Sequence, residues 1–310
     1  MLHLRLRVPE HRVDQVLSLL GEDPTVTNVA VQRAAYVDPP GTMVQADVAR
    51  ESATGTVGRL RDLGLQHEGS ISLLAIDTVL SDAADAAERA APGAPDDGVV
   101  WESVENRLRG DSRFSWAFLA FIVLASLLAG AGRILDQPIL IVGAMVVGPE
   151  FAAVAAICFA LARPRWHLLL PATRTLLGGF ALALLVCTPV WAVAYQLGAF
   201  THDQASQGAR TDFIVQPDAW SFAIAVIAGI AGTLALTTEK SGALVGVFIS
   251  VTTIPAVGTA AVCLGAGVWG EVGSALTQLG LNILGMVLAG FATLLIQRLV
   301  WARVSRGRLP

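Results

Sequence analysis

The chain has 310 residues, of which 54% are hydrophobic and only 15% charged; that balance lies outside the range of soluble globular domains and points to a membrane protein. The net charge of −4 has no basic stripe behind it, which excludes a nucleic-acid partner. Residues 1–113 carry 18 acidic and 11 basic side chains and the remainder 7 and 10, so an acidic polar part precedes a weakly basic apolar one.

The N-terminus alternates Leu2, Leu4, Leu6 and Val8 with His3, Arg5 and Arg7, the period of a strand with one buried face. It lacks the continuous apolar core of a cleavable signal peptide, and the first domain is expected in the cytoplasm. After Pro9, Val13, Val16, Leu17 and Leu20 fall on one side of a helix that Gly21 stops. A strand over Thr25 to Val37, a turn at Asp38-Pro39-Pro40-Gly41 and a strand from Thr42 to Val48 follow. A helix from Ser52 to Leu63 and a strand from Gly69 to Leu80 complete βαββαβ, the order of an α+β ferredoxin-like sheet over residues 1–81. Domains of this build bind small regulatory ligands or pair edge to edge, so a small ligand is expected here by fold analogy alone. His3, His11 and His67 match no metal-ligand spacing.

Residues 82–113 read as a linker and an interfacial helix. Residues 82–98 are Ala-, Pro-, Gly- and Asp-rich, as in a flexible connection. Trp101, Val104 and Leu108 then form the apolar stripe of a helix suited to a membrane surface.

From 114 to 310 the chain reads as an α-helical integral membrane bundle. Apolar segments at 115–132, 138–161, 167–195, 219–238, 242–265 and 272–297 are each long enough to cross a hydrocarbon core that needs about 20 residues. With about six spans both termini share one face. That face collects Arg107, Arg109, Arg113, Arg163, Arg165, Lys240, Arg298, Arg303, Arg306 and Arg308, against Arg133 and Arg210 opposite. The positive-inside rule therefore puts both termini in the cytoplasm of a bacterial inner membrane. Glu239-Lys240 is expected to end the fourth span at that surface. Cys158, Cys187 and Cys263 sit in apolar runs without ligand spacing and read as buried small hydrophobes.

An internal repeat is visible. Trp116 and Trp220 lie 104 residues apart, Gly143 and Gly246 lie 103 apart, and both glycines precede a proline (Pro149, Pro255) and a cysteine (Cys158, Cys263). A three-span unit has its ends on opposite faces, so duplicating it makes a 3+3 inverted repeat, as in secondary transporters whose sites lie at interrupted helices. The expected interruptions are Gly148-Pro149 and Pro255, since a proline inside a helix removes a backbone hydrogen bond.

Polar residues inside these spans supply the candidate site. Glu150 follows the first interruption, where an acidic side chain costs about 2.5–3.5 kcal/mol on insertion scales and needs a partner, a proton or water. Arg174 in the third span is a possible ion-pair partner, or it extends to the interface. Thr252 and Thr253 offer hydroxyls beside Pro255, and Asn282, with Gln278 one turn before it, can hydrogen-bond across helices. No HExxH, nucleophile elbow, P-loop or Rossmann fingerprint occurs, so neither an enzyme, a cofactor nor a metal site is expected.

The segments Pro138-Ile139-Leu140-Ile141-Val142-Gly143-Ala144-Met145-Val146-Val147-Gly148-Pro149 and Glu239-Lys240-Ser241-Gly242-Ala243-Leu244-Val245-Gly246, continuing to Thr252-Thr253-Ile254-Pro255, resemble the uncharacterised bacterial membrane proteins grouped as domain of unknown function 389. The resemblance implies an integral membrane protein and brings no established substrate or catalytic residue. Two functions are carried forward. One is a homo-oligomeric transporter or channel-like protein for a small solute or ion, regulated by its N-terminal domain. The other is a non-transporting scaffold or sensor whose helices anchor and oligomerise that domain in the lipid bilayer.

Overall fold

The computed structural model describes residues 1–93, 98–214, 217–238 and 252–306. They form two compact units, one built on Met1–Val104 and the other on Glu105–Leu299.

In the first unit the alternation of β1 (Leu2–Val8) buries Leu2, Leu4, Leu6 and Val8. The chain continues through α1 (Val13–Gly21), the hairpin of β2 (Val26–Val37) and β3 (Pro40–Val48), α2 (Arg50–Asp62), the single turn α3 (Leu65–Glu68) and β4 (Ser70–Ala75). All pairings are antiparallel and the strand order is β2-β3-β1-β4, the connectivity that the βαββαβ expectation requires. Leu4 lies opposite Ala46 on one side and Leu73 on the other. Val13, Val16 and Leu20 of α1 and Ala53, Val57 and Leu60 of α2 close over that face as one core. Gly64 takes the left-handed backbone (φ 76°) that ends α2, a conformation that costs glycine nothing.

Two expectations change here. The last strand stops at Ala75, and residues 82–90, read as linker, form a helix, α4 (Asp82–Ala90). The Ser81 hydroxyl accepts from the Ala84 amide to start it, and Ala84 and Ala87 are buried where α4 packs on β2. An Ala-rich acidic run reads as linker by composition, yet alanine is also the strongest helix former. Residues 94–97 of that stretch lie outside the described residues. The expected interfacial helix exists as α5 (Trp101–Asp111), but Trp101, Val104 and Leu108 are buried in protein.

Among the described residues the second unit holds four helices long and apolar enough to cross a membrane: α6 (Trp116–Ile134), α9 (Trp166–Gln196), α11 (Ala219–Thr237) and the part of α13 (Trp269–Arg306) up to Val300. Each begins with an exposed tryptophan in its first two residues, Trp116, Trp166, Trp220 and Trp269, the residue type that anchors helices at a membrane–water boundary. The expected second span is a broken pair, α7 (Pro138–Val147) and α8 (Glu150–Ala162), bent by 53°. Of the expected fifth span, α12 (Thr253–Ala266) is described, while residues 239–251, including Glu239, Lys240 and Gly246, lie outside the described residues. A short α10 (His202–Ser206) sits in the connection between α9 and α11.

The helix starts keep a constant spacing. Trp116 and Ala219, Glu150 and Thr253, and Trp166 and Trp269, which open α6 and α11, α8 and α12, and α9 and α13, are each 103 residues apart. Each of the two short helices α8 and α12 also touches the opposite half. α12 packs between α6 and α9 of the first half. Gly258 faces the Ser126 carbonyl and Gly130 amide, and Gly265 faces Ala192 and Thr188, so closely that any Cβ would strike backbone. α8 packs on α9 of its own half and also meets the second half, with Phe151 on Gly232 of α11 and Cys158 on Gly290 of α13. Both short helices are almost wholly buried. The Gly229–Gly232 stretch, which reads equally as a contact between subunits, is used within the chain: Gly229 meets Met286 of α13.

Candidate functional site

The two buried short helices meet at their N-termini. Pro149 is the residue before α8 and Glu150 its first residue; Thr252 is the residue before α12 and Thr253 its first. Pro255 is the third residue of α12, not the interruption expected there. A proline in the first turn forfeits no helical hydrogen bond, so Pro149 and Pro255 both mark starts.

The Thr253 hydroxyl donates to Glu150 Oε1 at 2.6 Å, across 103 residues of sequence. Glu150 is 7% exposed, and its Oε2 has no hydrogen-bond partner. Among the described residues no cationic side chain pairs with it. A Cβ at position 148 would overlap Glu150 Oε2 and come within 2.6 Å of Ile254 Cγ1, so any larger residue there must push one of these side chains aside. The carboxyl is thus folded against the break that exposes the first amides of α8, and a helix N-terminus favours negative charge.

Thr252 takes part through its side chain. Its Oγ1 accepts from Asn282 Nδ2 at 2.8 Å and from Gln278 Nε2 at 3.3 Å. Asn282 and Gln278, 2% and 1% exposed, project from one face of α13, and Gln278 Oε1 has no partner. The structure therefore brings together Glu150, Thr252, Thr253 and Asn282, adds Gln278 as a member of the site, and keeps Arg174 away. Arg174 is exposed on α9 and makes no ion pair with Glu150, as befits an arginine reaching for an interface. Among the described residues no three His, Cys, Asp or Glu side chains converge.

A second buried polar cluster had no strong sequence signal beyond a lone arginine at the end of an apolar run. Arg133, the last-turn residue of α6, is fully buried. Its Nη1 donates to Asp212 Oδ1 at 2.9 Å and Thr211 Oγ1 at 3.2 Å, and its Nη2 to the Ser206 carbonyl at 2.9 Å. Asp136 accepts from the Arg210 amide and the Thr211 hydroxyl. The connection 200–214 is thereby tied over the ends of α6 and α12, above a core of Ile134, Phe200, Ala205, Cys263 and Ala266.

Among the described residues, four helices long and apolar enough to cross a membrane and a broken pair, beside a small antiparallel-sheet unit, fit a multi-pass membrane protein. Residues 145–288 match the family described as domain of unknown function (DUF389), an interval that contains every residue of the Glu150 site. The chain is also 25% identical over 191 residues to an uncharacterized protein of Methanocaldococcus jannaschii, covering 62% of this chain and 57% of that one. It thus spans little more than half the length of this curated relative. No solved structure matches it.

Proposed function

We propose that this protein moves a small solute or ion across the membrane in which it sits, at a centre formed by Glu150 and Thr253, and that its membrane segments are two three-segment units of inverted topology. The observation that carries this reading is the contact between equivalent positions. Glu150 and Thr253 open the corresponding short helices of the two halves, 103 residues apart, and hydrogen-bond to each other. Equivalent points of two related units touch only near the axis that relates them. For inverted units that axis lies in the membrane plane, where discontinuous helices hold the substrate sites of secondary transporters. The constant spacing of helix starts and the contacts that α8 and α12 each make with the opposite half support the same arrangement.

A scaffold has no evident need of interrupted helices and unpartnered buried oxygens at its centre. On this reading the arginine distribution places both termini in the cytoplasm of a bacterial inner membrane, and the N-terminal sheet unit acts as a regulatory domain. Assembly into a homo-oligomer belongs to the proposal too. α9 leaves Leu170, Leu177, Leu185 and Val193 exposed, a face for lipid or for another copy. The test is flux in proteoliposomes under imposed ion gradients. Wild-type protein should dissipate or couple to a gradient, and Glu150→Gln should abolish that. Absence of flux for every small ion and solute tried, in protein that is folded and inserted, would favour the scaffold.

A further inference from the structure

The chemistry of the central site narrows what it holds. Three side-chain oxygens are available there. Glu150 Oε2 has no partner, Gln278 Oε1 has no partner, and Thr253 Oγ1 gives its proton to Glu150 and keeps lone pairs free. Thr252 Oγ1 is not among them, because two amide donors occupy it. It serves instead to orient the Gln278 and Asn282 carboxamides. Such oxygen-only donors suit hard cations.

Charge then decides the valence. The site has one carboxylate, since the position equivalent to Glu150 in the second half is a threonine, and no cationic side chain among the described residues faces it. One monovalent cation neutralises it, whereas a divalent ion would leave a net positive charge in a region where unpaired charge is costly. An anion would meet the Glu150 carboxylate directly. A proton on Glu150 alone would leave Gln278 Oε1 without a partner in a buried place, where such groups are ordinarily satisfied.

We propose that Glu150, Thr253 and Gln278 bind a single dehydrated alkali cation of the sodium type, held between the N-termini of α8 and α12, as the coupling or transported ion of the function proposed above. The two neutral oxygens replace part of the ion's hydration shell.

Binding is read independently of transport, on the full-length protein in detergent, as the thermal unfolding midpoint in sodium chloride against choline chloride at equal ionic strength. A ligand that binds only the folded state raises that midpoint by mass action. Sodium should raise it saturably. Gln278→Ala should raise the half-saturating concentration at least about tenfold, about 1.4 kcal/mol of lost affinity. Glu150→Gln should lose the response altogether. Because Glu150→Gln risks misfolding, Glu150→Asp serves as the second variant and should keep a weaker sodium response with an unchanged elution volume. A midpoint equally indifferent to sodium, lithium and potassium overturns the proposal, as does a full sodium response in folded Glu150→Gln. Flux without cation stabilisation would remove the ion and leave the transport reading; stabilisation without flux would do the reverse.

Discussion

Two residues carry more of the molecule than their size suggests. Gly148 gives the Glu150 carboxyl room to fold back on the helix break. Gly148→Ala must push the carboxyl or Ile254 aside, and overpacking of this kind costs about 1–3 kcal/mol. A lowered thermal midpoint in detergent checks this, and a wild-type midpoint would mean that the break relaxes freely. Arg133 was legible only as a charge at the end of an apolar run, because its partners at 206, 211 and 212 are more than 70 residues away and approach it by tertiary folding alone. Arg133→Leu leaves the Ser206 carbonyl without the guanidinium and Asp212 with the Gly208 amide alone, a loss of about 1–3 kcal/mol for a buried group left without its partner. Limited proteolysis should cleave within 200–214 faster in this variant, and unchanged cleavage would show that the connection is held by its apolar core instead.

Among the elements, the N-terminal unit was read most completely, since strict alternation and turn residues are local signals. The break at Gly148-Pro149 was equally visible, but not that Pro255 opens a helix: a proline at a first turn and a proline at a kink look alike until the hydrogen bonds are traced. Asp23, in the turn after α1, ties that turn to α2. Burial alone would raise its pKa, but hydrogen bonds from the Thr25 hydroxyl and amide, the Arg59 guanidinium and the Thr56 hydroxyl outweigh it and hold the carboxyl below its ordinary value. The unfolded chain therefore takes up the proton first as pH falls. The stabilisation is fully present above about pH 4, the unfolded value, and is lost as pH drops through the lower folded one. Hydrogen-exchange protection of the α2 amides, corrected for intrinsic rates, should fall over that interval in wild type. In Asp23→Asn it should be lower from the start and nearly flat, and parallel profiles would dismiss the role of Asp23.

For the whole molecule, the proposed inverted relation of the halves makes a sidedness prediction. Ser115 and Asp218 cap the starts of α6 and α11, so cysteines placed by Ser115→Cys and Asp218→Cys should react with an impermeant thiol reagent from opposite faces of the membrane. The native cysteines are buried and leave the readout clean. Reaction of both from one face would end the inverted-repeat reading. Close packing of the halves depends on glycines such as Gly258, whose position beside the Ser126 carbonyl leaves no space for a side chain. Gly258→Val should therefore abolish a folded bundle, seen as loss of a monodisperse elution peak.

Local patterns in the sequence were sufficient to determine a membrane class, a βαββαβ first unit, the apolar segments, the break before Glu150 and a spacing near 103 between the halves, because hydropathy, alternation and proline placement act over a few residues. Tertiary structure alone decided that α12 packs between α6 and α9 of the other half, that Thr253 rather than Arg174 partners Glu150, and that Gln278 and Asn282 converge on Thr252. Those choices depend on which helix faces meet. That is set by the fit of glycines against backbone and by the need of buried polar atoms for partners, neither of which has a signature within a single helix.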